Sequence, residues 1–286
     1  MDLFSSMNLW LRGWARHVRP DNPLRRQAAR AWGWFLERTT PTVMVPIGDK
    51  QLRLALRFRS MALDYERDTL QTFRRLLTPG EVVWDVGANL GIYTLIAAQL
   101  VGEKGQVVSW EPSPPVFQYL QQHYAANGSP ATVTLIPEAI HDGSVASVPF
   151  LLDLQDGFSS TGRVSSTLGQ QTCPVPAAAL DDWCDRLSRP PDVVKVDVEG
   201  AELFVLRGAA RLMAGMTSRR PVFLLAVHPM FLPNLGCQPE QIPALLHERD
   251  YISLSVAGKP ARPVEYSEYL LVPRERVEEV QARLHS

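Results

Sequence analysis

The stretch Val82-Val-Trp-Asp-Val-Gly-Ala-Asn-Leu-Gly-Ile-Tyr-Thr94 decides how the chain is read. An apolar run too short for a helix ends in an acid and a glycine, and a helical pattern begins at about Gly91 and runs to Leu100. Gly87 and Gly91 let the backbone turn tightly and approach a ligand where a Cβ would collide. The carboxyl end of a strand opening a helix is where doubly wound sheets bind nucleotides. The spacing is not that of the dinucleotide fingerprint G-x-G-x-x-G, because Ala88, Asn89 and Leu90 stand between the two glycines. Asp85 opens the motif instead. A carboxylate near the bound group suits a cationic cofactor better than a pyrophosphate.

The pattern repeats downstream. Val107–Glu111 reads as a strand, with a helix from Pro114 to about Ala126 after it. Thr132–Ile136 and Val145–Leu152 read as further strands. Val193–Val198 leads into a helix running through Leu212, and Pro221–His228 is another buried strand. Near-continuous apolar strands separated by helices indicate a parallel sheet covered on both faces. Tyr251–Val256 and Tyr269–Val272, joined by a turn-rich link, read as a closing antiparallel pair. A last helix places Val277, Val280 and Leu284 on one stripe. The fold class is therefore α/β, Rossmann-like.

Upstream, Thr42–Arg59 reads as a hairpin with Leu52, Leu54, Leu56 and Phe58 on one face, and Asp64–Leu77 as a lead-in helix. Residues 1–40 differ. They hold seven arginines against Asp2, Asp21 and Glu37, and four of the seven tryptophans. One reading is a basic helical arm on a membrane surface; the other is an arm packed on its own domain or on a second subunit. The expected organisation is thus an arm at 1–40, a hairpin and helix at 41–80, and the main domain at 81–286. The segment Asp153–Gln171 lacks an apolar period, and reads either as a binding loop or as a surface excursion.

Composition bounds the function. With 29 basic and 30 acidic residues among 286, the chain lacks the excess charge of a dedicated nucleic-acid binder. Three cysteines without a C-x-x-C pair indicate neither a disulfide framework nor a zinc ribbon, and a reduced cytoplasmic setting is expected.

Three further groups carry chemistry. Glu111, with Pro112 next to it, lies roughly twenty residues past the glycine turn, where an acid can take two ribose hydroxyls; it also suits the positive end of the next helix. With the glycine loop it implies an adenosine-containing ligand without a phosphate cradle, and S-adenosylmethionine fits. Asp197 ends another strand at the same sheet edge. Glu199 and Glu202 beyond it read as first-turn helix carboxylates. Three acids also suggest a metal, but hard-metal sites draw on several segments and no second cluster is visible, so no metal is expected. His228 ends the strand Pro221–His228 and reads either as an acceptor of a hydroxyl proton or as a structural histidine.

Taken together, Val82–Thr94, Glu111-Pro112, Ala179-Leu-Asp-Asp-Trp183, Val193–Ala209 and Val227-His-Pro229 resemble the FkbM-like family of S-adenosylmethionine-dependent methyltransferases, over about Met61 to Pro273. Asp64-Tyr-Glu66 resembles the family's entry into the domain. The resemblance implies a class I methyltransferase sheet of seven strands with one antiparallel strand in the last pair. It implies O-methylation of a sugar, a polyketide or another secondary metabolite, so the partner is a small-molecule or glycan acceptor. Asp85, Gly87, Ala88, Asn89 and Gly91 would line the methionine part, Glu111 with Pro112 the ribose, and Ala139 and Ile140 the adenine. Asp197 would sit near the transferred methyl. Ala226 departs from the acidic residue many relatives carry before Val-His-Pro. Against these stand a nicotinamide-dependent oxidoreductase, opposed by the glycine spacing, and a non-catalytic protein that retains the fold.

Overall fold

The computed structural model describes residues 42–58, 66–130, 132–152, 162–165, 172–216 and 219–285. The arm expected at 1–40 lies outside them, as does most of Asp153–Gln171.

The chain enters through β1 (Thr42–Ile47) and β2 (Lys50–Ala55), then α1 (Arg67–Leu76). Alternating units come next: β3 (Val82–Val86), α2 (Ile92–Val101), β4 (Gln106–Trp110), α3 (Pro114–Ala126) and β5 (Val133–Ile136). Four short strands succeed them, β6 (Ala139–Ile140), β7 (Ser147–Leu152), β8 (Gly162–Val164) and β9 (Thr172–Ala178). The chain then runs through α4 (Leu180–Arg186), β10 (Val193–Val196), α5 (Glu202–Arg207), α6 (Ala210–Met213) and β11 (Val222–Val227). It closes with α7 (Gln241–Glu248), β12 (Tyr251–Ser255), β13 (Ser267–Pro273) and α8 (Val277–His285).

The central sheet has seven strands in the order β12-β13-β11-β10-β3-β4-β5. β11, β10, β3, β4 and β5 run parallel, and β13 runs antiparallel to both its neighbours. This is the class I methyltransferase arrangement that the resemblance implies. Strand order reverses at β3, where the chain leaves for β4 on one side and β10 takes up the other. That is a topological switch point, and such points open a crevice at the carboxyl ends of the strands.

Alternation along the strands divides the core in two. Val83, Val107, Val193, Val222 and Leu224 pack on one face, with α2, the hairpin and α8. Val82, Trp84, Val86, Val194, Val196, Phe223 and Leu225 pack on the other, with α5–α7. The hairpin shares the first core: Val45, Ile47, Leu52 and Leu54 lie with Phe73, Ile96 and Val272.

Several sequence expectations are corrected. Strand Ser147–Leu152 does not enter the central sheet; it forms a second, four-stranded sheet ordered β6-β9-β7-β8. β6 and β8 have only two and three residues, and β7 and β9 expose part of their length, so the pairing carries a weak apolar signal. The β2 alternation stops at Ala55, whose N–H is taken by His123 Nε2 at 2.9 Å; Leu56 is only half-buried, whereas Phe58 returns to the interior. The helix expected to run through Leu212 is broken at Gly208. There a Cβ would lie 2.1 Å from the His141 carbonyl oxygen, and the Gly208 carbonyl accepts the Asp181 N–H instead of continuing the helix. Asp181 then caps α6, accepting the N–H groups of Arg211 at 2.8 Å and Leu212 at 2.9 Å.

Candidate active site

The loop after β3 is shaped by alternate residues in the left-handed region: Gly87, Asn89 and Gly91, with φ of 81°, 50° and 82°. The N–H groups of Gly87 and Ala88 both donate to the Trp110 carbonyl, at 3.0 and 2.9 Å, which ties the loop to the end of β4. A Cβ on Gly87 would sit 1.9 Å from the Asp197 carbonyl oxygen. Gly87 therefore lets the β3 and β10 ends close on one another, and no other residue fits without displacing backbone.

A solvent-open cleft lies there, with Glu111, Glu138, Asp197 and Glu199 among the side chains that line it. Of the residues expected to hold a cofactor, Gly87, Asn89, Glu111, Pro112, Ala139 and Ile140 line it, together with Asp197. Glu111 is held by two backbone donors: Asn89 N–H reaches Oε2 at 2.9 Å and Ser113 N–H reaches Oε1 at 2.8 Å. Burial pushes its carboxyl up to about 7; the two N–H groups oppose this, and the charges of Asp85 and Glu199 add to it.

Asp85, Ala88 and Gly91 do not line the cleft. Asp85 is fully buried, and strand periodicity explains why. It shares the sheet face of Val83, beneath α2, where its Oδ2 accepts the Thr94 hydroxyl at 2.7 Å. Its register partner on β10 is Lys195, also buried. Lys195 Nζ lies 3.3 Å from Asp197 Oδ2 and 4.5 Å from the centre of the Tyr93 ring. Burial pulls the ammonium down, but Asp197, Asp85 and Glu66 more than offset it, and it is held above its ordinary range. Asp85 thus contributes charge beneath the loop rather than contact at the cleft. Gly91 starts α2, where a Cβ would meet Leu120 at 2.4 Å.

His228 sits at the same sheet edge but behind the cleft lining. Its Nε2 is 3.8 Å from Asp197 Oδ1, and its Nδ1 is 2.7 Å from Glu202 Oε1. Phe231 stacks beside the ring, and Tyr266 meets it edge-on with centroids 5.4 Å apart. Burial lowers the imidazole pKa, but the Glu202 hydrogen bond and the charges of Asp197, Glu202 and Glu199 outweigh it, so the net shift is upward.

Of the two acids expected in a first helical turn, Glu202 is there and Glu199 is not. Glu199 stands before α5 with φ of 48° and lines the cleft. Glu202 does begin α5, but it is fully buried and also accepts the Gly200 N–H at 3.0 Å. Glu138, Phe150 and Val164 line the cleft without having been expected there. Glu138 was legible as the residue before Ala139, directly after a strand. Phe150 and Val164 come from the second sheet, whose pairing nothing local announces.

The cleft suits S-adenosylmethionine on three counts. Among the described residues, its charged lining is wholly acidic, which favours a sulfonium and an ammonium and opposes a pyrophosphate. Asn89 Oδ1 and Ser113 Oγ are buried without partners beside the glycine loop and Glu111. Ala139 and Ile140 offer an apolar wall. Among the described residues no helix is long and apolar enough to cross a membrane.

The chain is similar to known methyltransferases. The model of the methyltransferase FkbM domain matches residues 85–253. Hexuronic acid methyltransferase AglP of Haloferax volcanii is 27% identical over 186 residues, which are 64% of this chain and 68% of that protein. Among solved structures, precorrin-6y C5,15-methyltransferase from Geobacter metallireducens is similar at 15% identity and a TM-score of 0.45, over 79% of this chain and 95% of that one. A SAM-dependent methyltransferase from Aquifex aeolicus is similar at 12% identity and a TM-score of 0.40, over 72% and 88%. The fold assignment rests on the strand order of the central sheet rather than on these structural likenesses.

Proposed function

Since the chain belongs to the FkbM methyltransferase domain family and is a methyltransferase, we propose that it moves the methyl group of S-adenosylmethionine to a hydroxyl oxygen of a sugar-like acceptor. The observation that carries this reading is the pairing of an acidic, phosphate-averse cleft with a histidine just behind its lining, whose Nε2 lies 3.8 Å from the lining residue Asp197. When bound, the cofactor supplies an electrophilic methyl already activated by its sulfonium. Glu111 would hold the ribose hydroxyls, Gly87 and Asn89 would receive the methionine part, and Ala139 and Ile140 would face the adenine. Asp197 stands between this half and the acceptor half.

The chain's own chemistry is then alignment and proton removal. His228 Nε2 would take the acceptor's hydroxyl proton, while the cofactor would supply the methyl by losing its methyl–sulfur bond and leaving as the neutral thioether. The imidazolium that forms lies between Glu202 and Asp197, both suited to stabilise its charge. A hydroxyl is favoured over a carboxylate acceptor. A carboxylate needs no base, whereas a hydroxyl gives the histidine a proton to remove.

The AglP similarity supports hexuronic acids and their glycosides as the first acceptors to test. The assay follows radiolabelled methyl from S-adenosylmethionine onto such acceptors and then treats the product with mild alkali. An alkali-stable methyl ether is expected. An alkali-labile methyl ester would overturn the hydroxyl assignment, and a full acceptor panel without transfer would return the non-catalytic reading.

A further inference from the structure

Glu202 is a carboxylate that the fold does not require, and the proposed chemistry so far uses only its charge. It is fully buried on α5, and its Oε2 has no partner. Its Oε1 accepts two bonds, from Gly200 N–H at 3.0 Å and from His228 Nδ1 at 2.7 Å. A half-satisfied buried carboxylate is costly compared with an amide or an apolar side chain of the same shape. Such a group persists where its charge has a task.

We propose that Glu202 is the positioning residue of His228: it fixes the proton of the neutral imidazole on Nδ1 and turns the Nε2 lone pair toward Asp197 and the cleft. The inference rests on the reading of His228 as the proton acceptor, and it adds the group that gives the ring its tautomer and orientation. Donor and acceptor types decide the tautomer. A carboxylate only accepts, so the ring nitrogen 2.7 Å away must donate, and the basic nitrogen is the other one. Gly200 contributes by geometry. With φ of 110° and a missing Cβ that would stand 2.6 Å from Phe231 Cβ, it lets the turn fold tightly enough to aim its N–H at Oε1. Phe231 in turn stacks against the His228 ring. The strand end at Asp197, the turn at Glu199, the helix start at Glu202 and the loop bearing Tyr266 all face the imidazole; three of these groups are acidic and the fourth is a phenol. Glu202 is the one in direct hydrogen bond, and its charge adds to the basicity of Nε2.

Glu202→Gln tests this cleanly. The amide oxygen can still accept from Gly200 N–H and His228 Nδ1, and its NH2 replaces the unpartnered Oε2, so the shape is kept while the charge is removed. Nitrogen-15 NMR of the full chain reads the His228 tautomer and its titration midpoint without reference to turnover. In the wild type the Nδ1–H tautomer is expected, with a midpoint above the ordinary value of about 6.5. In Glu202→Gln the midpoint should fall. The rising limb of the pH–rate profile should move to lower pH with it, and plateau turnover should drop about tenfold or more, with cofactor affinity unchanged. Glu202→Asp, which keeps the charge one methylene further away, should fall between the two. An unmoved midpoint and tautomer in a folded Glu202→Gln protein would overturn the proposal. A moved midpoint with an unmoved pH–rate profile would uphold Glu202 as the positioning residue and instead remove His228 as the base.

Discussion

The two halves of the cleft are built by different means. At β3 and β4 the site is mostly backbone: a glycine turn tied to the Trp110 carbonyl, and a carboxylate held by two N–H donors. At β10 and β11 it is side chains in alternating charge, from Lys195 to Asp197 to His228 to Glu202. The first half is specified by shape and fits one kind of ligand. The second is specified by electrostatics and, in the proposed function, would move a proton. Substitutions should therefore separate binding from turnover according to which half they touch.

The largest expected effect lies in the second half. His228→Ala should lower turnover about 10²–10⁴-fold while cofactor affinity measured by calorimetry stays near wild type. A parallel loss of affinity would merge the two halves. Next is Gly87→Ala, which strikes where the halves meet. The added Cβ overlaps the Asp197 carbonyl in a left-handed backbone, so denaturant unfolding should show a loss of about 2–4 kcal/mol, together with weakened cofactor binding. A variant of normal stability would mean that the two strand ends are not in contact.

Glu111→Ala belongs to the first half, and should weaken cofactor binding by about 1.5–3 kcal/mol. Its pH dependence stems from a carboxyl pushed up to about 7. Ribose hydroxyls donate to the charged form, so cofactor affinity should rise as pH climbs through about 7 and level off above it. For the free protein the sign is opposite. The folded state holds this proton more tightly than the unfolded chain, so the stability Glu111 contributes falls as pH rises from the ordinary glutamate range to about 7. Glu111→Gln should flatten both curves. The smallest effect is expected outside both halves. Asp181→Ala removes the α6 cap and should cost about 0.5–2 kcal/mol of stability without changing cofactor affinity.

The same contrast explains what could be read in the sequence. The central sheet was legible because its buried strands are continuous apolar runs, and the cofactor half because its glycines and Glu111 lie within one β-α-β unit. Asp85 was legible as important but not in its direction, since period-two alternation turns it under α2 rather than into the cleft. Of the second sheet only β7 was legible, as the strand within Val145–Leu152, and its partners were not. β6 has two residues and β8 three, and they are paired by partners that no local pattern names. Glu202 looked like an ordinary first-turn carboxylate, because its partner His228 is 26 residues away and meets it only through the packing of α5 on β11.

The assignment of the cleft to S-adenosylmethionine is tested most directly by calorimetric titration of the full chain with S-adenosylmethionine, S-adenosylhomocysteine and NAD, repeated on Glu111→Ala. One site is expected, which takes the first two ligands, excludes NAD, and is weakened when Glu111 is removed. Binding of NAD, or S-adenosylmethionine binding that Glu111→Ala leaves unchanged in a folded protein, would contradict it.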